Sequence, residues 1–170
     1  MDIQAALLKE HSKRQCSRIV RYIRHDKKKF GILMKLFFSG EYRVTQRAAW
    51  PMSYCVEANP SLIIPYYKKL ILFLNRKDVH PAVARNILRL LQKVEIPKKW
   101  QGEIMNSCFQ FIENPKEAIA IKIFSLTVLG KMAKDYPEIL PELRVVIETR
   151  WDMETAGFRS RAKKILLLTK

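Results

Sequence analysis

Arg85, Arg89 and Lys93 stand at i, i+4 and i+8, and Arg14, Arg18, Arg21 and His25 at i, i+4, i+7 and i+11. On a helix each set forms one longitudinal stripe. Like charges stacked in this way repel by about 0.2–0.5 kcal/mol per pair, so a stripe is mildly unfavourable until an anion meets it. The chemistry these residues can do is capture of phosphate or carboxylate groups. The whole chain leans the same way: 32 Lys and Arg face 16 Asp and Glu, a formal net charge of +16. A field of that size favours nucleic acid, an acidic protein or an anionic surface; the plain alternative is a solvated, solubilising face. The charge is unevenly spread. Residues 9–29 hold nine basic and two acidic side chains, whereas residues 103–148 hold five and seven. The positive field is thus concentrated in the first 100 residues and in the tail after Trp151.

Catalytic chemistry finds little footing. The sequence contains no G-x-S-x-G, P-loop, H-E-x-x-H or G-x-G-x-x-G. His11, His25 and His80 are scattered without metal-ligand spacing, and His80, preceding Pro81 at a helix start, suits a capping or surface role. Cys16, Cys55 and Cys108 are odd in number and lack a C-x-x-C, which argues for buried free thiols rather than a disulfide framework or zinc site. No metal and no cofactor is expected. Aromatic faces can stack nucleobases, but Trp50, Trp100 and Trp151 read first as packing residues, Trp100 sharing an apolar stripe with Ile104. The start Met1-Asp2-Ile3-Gln4 lacks a signal-peptide pattern. No run approaches the about 18 apolar residues of a membrane span, so a soluble, cytoplasmic protein is expected.

Stripes need helices to carry them, and apolar residues recur at helical spacing throughout. Val83, Ile87, Leu90, Leu91 and Val94 form one such face, and Phe30, Leu33, Met34 and Phe37 another. Further faces are Trp100, Ile104, Cys108 and Phe111; Ile139, Leu143, Val146 and Ile147; and Phe158, Ala162, Ile165 and Leu166. The segment 118–129 is apolar on more than one face, as befits a helix covered on two sides. Pro60, Pro97 and Pro137 each mark a helix start, 37 and 40 residues apart. This predicts about ten helices, near 2–9, 12–24, 27–38, 43–58, 61–75, 80–95, 98–112, 116–134, 138–150 and 156–169. Pro51 should kink or cut its helix near Ala49.

A period of 37–40 residues with a helix pair in each unit is the signature of an α-solenoid. Pro60-Ser61-Leu62-Ile63-Ile64-Pro65-Tyr66-Tyr67-Lys68-Lys69-Leu70 resembles the first helix of a HEAT repeat, and Pro137-Glu138-Ile139-Leu140-Pro141-Glu142-Leu143 is similar. The resemblance covers roughly residues 12–170. It implies an all-α, right-handed superhelix of four to five helix pairs in a single domain over 1–170: a cap over 1–26, then units 27–60, 61–97, 98–137 and 138–170. The unit near Lys98 lacks the second proline. Each second helix brings a basic residue to a matching place, namely Arg47, Arg85, Lys122 and Arg161, with Arg14 aligning before them. Second helices line the concave surface of a HEAT solenoid, so these would form a basic ladder there, extended by Arg18, Arg89 and Lys93.

The expected function is therefore non-enzymatic: a helical-repeat scaffold whose basic concave face binds nucleic acid backbone or an acidic protein segment. Two alternatives stand beside it. The chain is also similar, more weakly, to HEAT-like DNA glycosylases that remove alkylated bases, which pair a cationic face with tryptophans and an aspartate; Asp152 beside Trp151 is the nearest match. The apolar end Ile165-Leu166-Leu167-Leu168 suggests an adaptor edge or self-association through the last helix.

Overall fold

A computed structural model of the chain describes residues 1–39 and 41–169. Among these it contains ten α-helices and no strand. They are α1 (Ile3–Lys9), α2 (Lys13–Ile23), α3 (Lys27–Phe37), α4 (Tyr42–Ala58), α5 (Tyr67–Leu74), α6 (Ala82–Leu91), α7 (Lys98–Glu113), α8 (Ile119–Met132), α9 (Leu140–Arg150) and α10 (Ala156–Leu166). Short polar residues start several of them by accepting orphan backbone N–H groups: Asp2 from Ala5, Ser12 from Gln15, Asp26 from Lys28 and Lys29, and Thr155 from Phe158. His80 belongs to the same class, its Nδ1 accepting the Ala82 N–H at 3.1 Å.

The prolines act less uniformly than their spacing suggests. Pro60 and Pro137 open 3₁₀ turns, Pro60–Leu62 and Pro137–Ile139, and a second turn, Ile64–Tyr66, delays α5 until Tyr67. Pro65 lacks the N–H that an α-helix beginning at Ser61 would need, so the segment winds tighter first. Pro51 does not cut its helix: α4 runs unbroken from Tyr42 to Ala58 with the buried Pro51 inside. Packing of its buried neighbours Ala48, Met52 and Cys55 holds the turn where propensity alone would break it.

The described residues divide into two compact units, residues 1–94 and 95–170. In the first, Phe30, Leu33, Met34 and Phe37 of α3 and Ile87, Leu88, Leu90 and Leu91 of α6 are all but fully buried. Helix α4 packs against α1, α2, α3 and α6. In the second, α8 is sandwiched between α7 and α10, as an all-round apolar sequence requires. A Cβ on Gly130 would meet Ile165 of α10 at 3.2 Å, so the missing side chain there permits close approach. Leu70, Leu90, Leu91, Leu126 and Leu143 are buried in these cores, and Ile123 is only half-buried.

Alternate helices of the first unit run side by side in the same direction. At one end of α4 the Tyr42 ring lies 4.2 Å from that of His80, just before α6. At the other, Glu57 accepts from Lys93, just after α6, at 2.5 Å. Asn59 after α4 is hydrogen-bonded to His25 after α2. These pairs are separated by 38, 36 and 34 residues, the repeat offset appearing as physical contact.

Candidate functional site

Helix α4 buries most of its circumference and leaves one edge in solvent. Arg43, Trp50, Tyr54 and Glu57 occupy that edge with Arg47, at i, i+7, i+11, i+14 and i+4. A basic and aromatic stripe therefore runs down the middle helix of the α2–α4–α6 layer. Helix α6 is more deeply sunk, all but Arg85 and Arg89 of Ala82–Leu91 being buried. Because Lys93 reaches Glu57, the α6 edge and the α4 edge open on the same side.

Helix α2 completes the layer. Its buried face is Gln15, Cys16, Ile19 and Ile23, which turns Arg14, Arg18 and Arg21 outward. With Lys9, Glu10 and Gln15 they line an open groove of about 340 Å³. Glu10 and Gln15 also border a small crevice with Arg47 and Trp50, which places the groove beside the α4 stripe. The Arg14–Glu10 pair spans 3.6 Å with Arg14 almost wholly exposed, and pairs of this kind hold a side chain only weakly. No ion pair among the described residues engages Arg18, Arg21 or Arg89. Residues 1–94 carry 19 basic and 6 acidic side chains, net +13, against 13 and 10, net +3, for residues 95–170. The field belongs to the unit that holds this face.

Two of the periodic basic residues do other work. Arg47 points its Nη1 at the carbonyls of Leu7 and Leu8, 2.9 Å from each, and so satisfies the orphan acceptors at the end of α1. Lys122 is not on any exposed ladder. It is 2% exposed, and its Nζ lies 2.6 Å from Glu154 Oε1. The same oxygen accepts from Nε and Nη2 of Arg150 at 2.9 and 2.8 Å, while Arg150 Nη1 reaches Glu113 O. Burial alone would raise the Glu154 carboxyl. The hydrogen bonds and charges of Lys122 and Arg150 outweigh it and hold the group below its ordinary value. Lys122 sits in the interior because α8 is covered on both sides, a placement that its period conceals. Contacts in this unit also set the register of α8 on α10. Gly130 faces Ile165 and Gly157 faces Ile123, offsets of 35 and 34, so Arg161, 39 residues beyond Lys122, lies about a turn out of step and is half-buried.

The tryptophans are neither core nor free. Trp50 is half-buried with its ring 5.4 Å from that of His11, Trp100 is half-buried beneath Lys99, and Trp151 is half-buried beside an exposed Asp152. Trp100 is thus less enclosed than its stripe implies. Cys16, Cys55 and Cys108 are buried and free. Among the described residues no group of His, Cys, Asp and Glu is arranged to hold a metal ion, and no helix is long and apolar enough to cross a membrane.

The profile of a HEAT repeat domain matches residues 3–168. No curated protein and no solved structure matches the chain.

Proposed function

We propose that this chain, which belongs to the HEAT repeat family, is a helical-repeat binding protein whose α2–α4–α6 face takes an anionic macromolecule and which works by binding, not catalysis. The observation that carries the reading is the groove in which Lys9, Arg14, Arg18 and Arg21 outnumber a single Glu10, with Arg85 and Arg89 across α4. HEAT repeats stack helix pairs so that one helix of each pair lines a shared surface. Here three such helices present cations from a unit of net charge +13. The field steers an anion and the guanidinium groups hold it. Contacts of this kind to a phosphate or carboxylate backbone position a ligand without reading its sequence.

The test separates this face from bulk charge. Arg18→Glu/Arg21→Glu/Arg89→Glu changes net charge by as much as Lys134→Glu/Lys163→Glu/Lys164→Glu, whose residues are equally exposed but lie in the second unit. On immobilised heparin, the first triple variant is expected to elute at much lower salt than the parent and the second near it. Circular dichroism should match for all three proteins. Equal retention of the two variants would show that the face is an ordinary solvated surface.

A further inference from the structure

Cations attract any polyanion, and charge alone does not choose among them. The α4 stripe does. We propose that the ligand of this face is single-stranded nucleic acid, its bases stacking on Tyr54 and Trp50 while Arg14, Arg18, Arg21 and Arg89 hold phosphates. This inference presupposes the basic face just described and adds the identity of the partner.

A carboxylate chain needs cations and nothing else, so an acidic peptide leaves the ring edge of α4 without a role. Tyr54 is 42% exposed one turn from Trp50, whose ring is covered on one side by His11 and borders the crevice with Arg47. Neither ring is consumed by the core, which α4 builds from its other faces. An exposed Tyr54 and a half-buried Trp50 within a strongly cationic layer, whose one acid on that edge, Glu57, is already paired with Lys93, suit a ligand that is anionic along its backbone and flat along its edge. A nucleic acid strand has both properties, and every base has a π-face to offer.

Geometry favours a single strand over a duplex. Packed helices lie about 8–10 Å apart, so the rings of α4 lie roughly that far from the cations of α2 and from those of α6. A flexible strand whose phosphates follow the α2 cations can lay its unpaired bases on the rings and cross to Arg89 beyond them. In a duplex the base faces are stacked on one another and cannot reach a ring, so a duplex would use the cations alone. With four phosphates neutralised, log K should fall by about 2.8 per tenfold rise in salt, the single-strand slope of about 0.7 each.

The experiment uses the whole chain and four fluorescein-labelled probes: a dT 12-mer, an abasic 12-mer of the same backbone, a 12-base-pair duplex, and poly-glutamate of matched charge. By anisotropy, the dT 12-mer is expected to bind about 5- to 150-fold tighter than the abasic strand, the range for one stacked base, and tighter than duplex or poly-glutamate. Tyr54→Ala, an exposed change, should weaken dT binding and leave poly-glutamate binding alone. In a Trp100→Phe/Trp151→Phe background, dT should quench the remaining Trp50 emission and the abasic strand should not. Equal affinity for dT and abasic strands, or preference for duplex or poly-glutamate, would overturn the stacking proposal while leaving the basic face intact. Binding of none of the four would overturn both.

Discussion

Replacing Glu154 by Gln tests the buried ion cluster of the second unit most directly. One carboxylate oxygen accepts three N–H groups, from Lys122 at 2.6 Å and from Arg150 at 2.9 and 2.8 Å. The amide keeps the shape and removes the charge, leaving two cations side by side away from water. Uncompensated burial of this kind typically costs about 3–5 kcal/mol, or roughly 6–20 °C in melting temperature for a chain of this size. Lys122→Met instead leaves Arg150 and Glu154 as a neutral pair and should cost clearly less. The pH dependence follows from the lowered Glu154 pKa. Its contribution is fully present above the unfolded carboxyl value, about 4.3, and is lost as pH falls through the lower folded value. Urea melts at pH 7 should therefore show the full gap between parent and Glu154→Gln, and melts taken progressively below pH 4 should show it closing. A Glu154→Gln protein destabilised by under about 1 kcal/mol, or less than Lys122→Met, would refute the view that the carboxylate holds the two cations in place.

Three further outcomes are expected. Leu90→Ala and Leu143→Ala, both at fully buried sites, should each cost about 2–5 kcal/mol in denaturant melts, and Ile123→Ala, half-buried, distinctly less. Burial pushes the thiol pKa up to about 11 for Cys16 and about 12 for Cys55 and Cys108, so a thiol-reactive chromophore at pH 8 should find no reactive group until denaturant exposes all three. Incubation with alkylated duplex DNA should release no free base; turnover abolished by Asp152→Asn would promote the glycosylase alternative.

The helices were legible because apolar spacing and burial are the same fact seen twice. Every member of the stripes from Val83 and from Phe30 is buried, and the ten predicted segments match the ten observed to within a few residues except where Pro60 and Pro65 wind the chain into 3₁₀ turns. Pro51 was not legible, since whether a proline breaks a helix depends on what packs around it. The ion cluster was hidden for a related reason. Lys122 lies in the segment that already read as apolar on two faces, and a lysine there has no exit; but its partners are 28 and 32 residues away, across turns whose path no period predicts. The ring stripe does carry a sequence signal, Arg43, Arg47, Trp50 and Tyr54 at i, i+4, i+7 and i+11, the same helical spacing as Arg14, Arg18, Arg21 and His25.

The fates of Arg47 and Lys122 have a common physical cause. A residue at the same phase of every second helix is a residue near the seam between one helix pair and the next, because the seam is what recurs. Cations there find backbone carbonyls and carboxylates of the neighbouring pair: Arg47 meets Leu7 and Leu8 of α1, and Lys122 meets Glu154 before α10. At these two positions the period places the cation for stitching, whereas Arg85, at the same phase, stays on the basic face. Side chains a turn or so from the seam, such as Arg18, Arg21 and Arg89, keep their exposure, and like-charge repulsion along α2 is relieved only weakly, by the exposed Arg14–Glu10 pair. A ligand that relieves it gains that repulsion as binding energy, so affinity should reside in Arg18, Arg21 and Arg89 and architecture in Arg47 and Lys122.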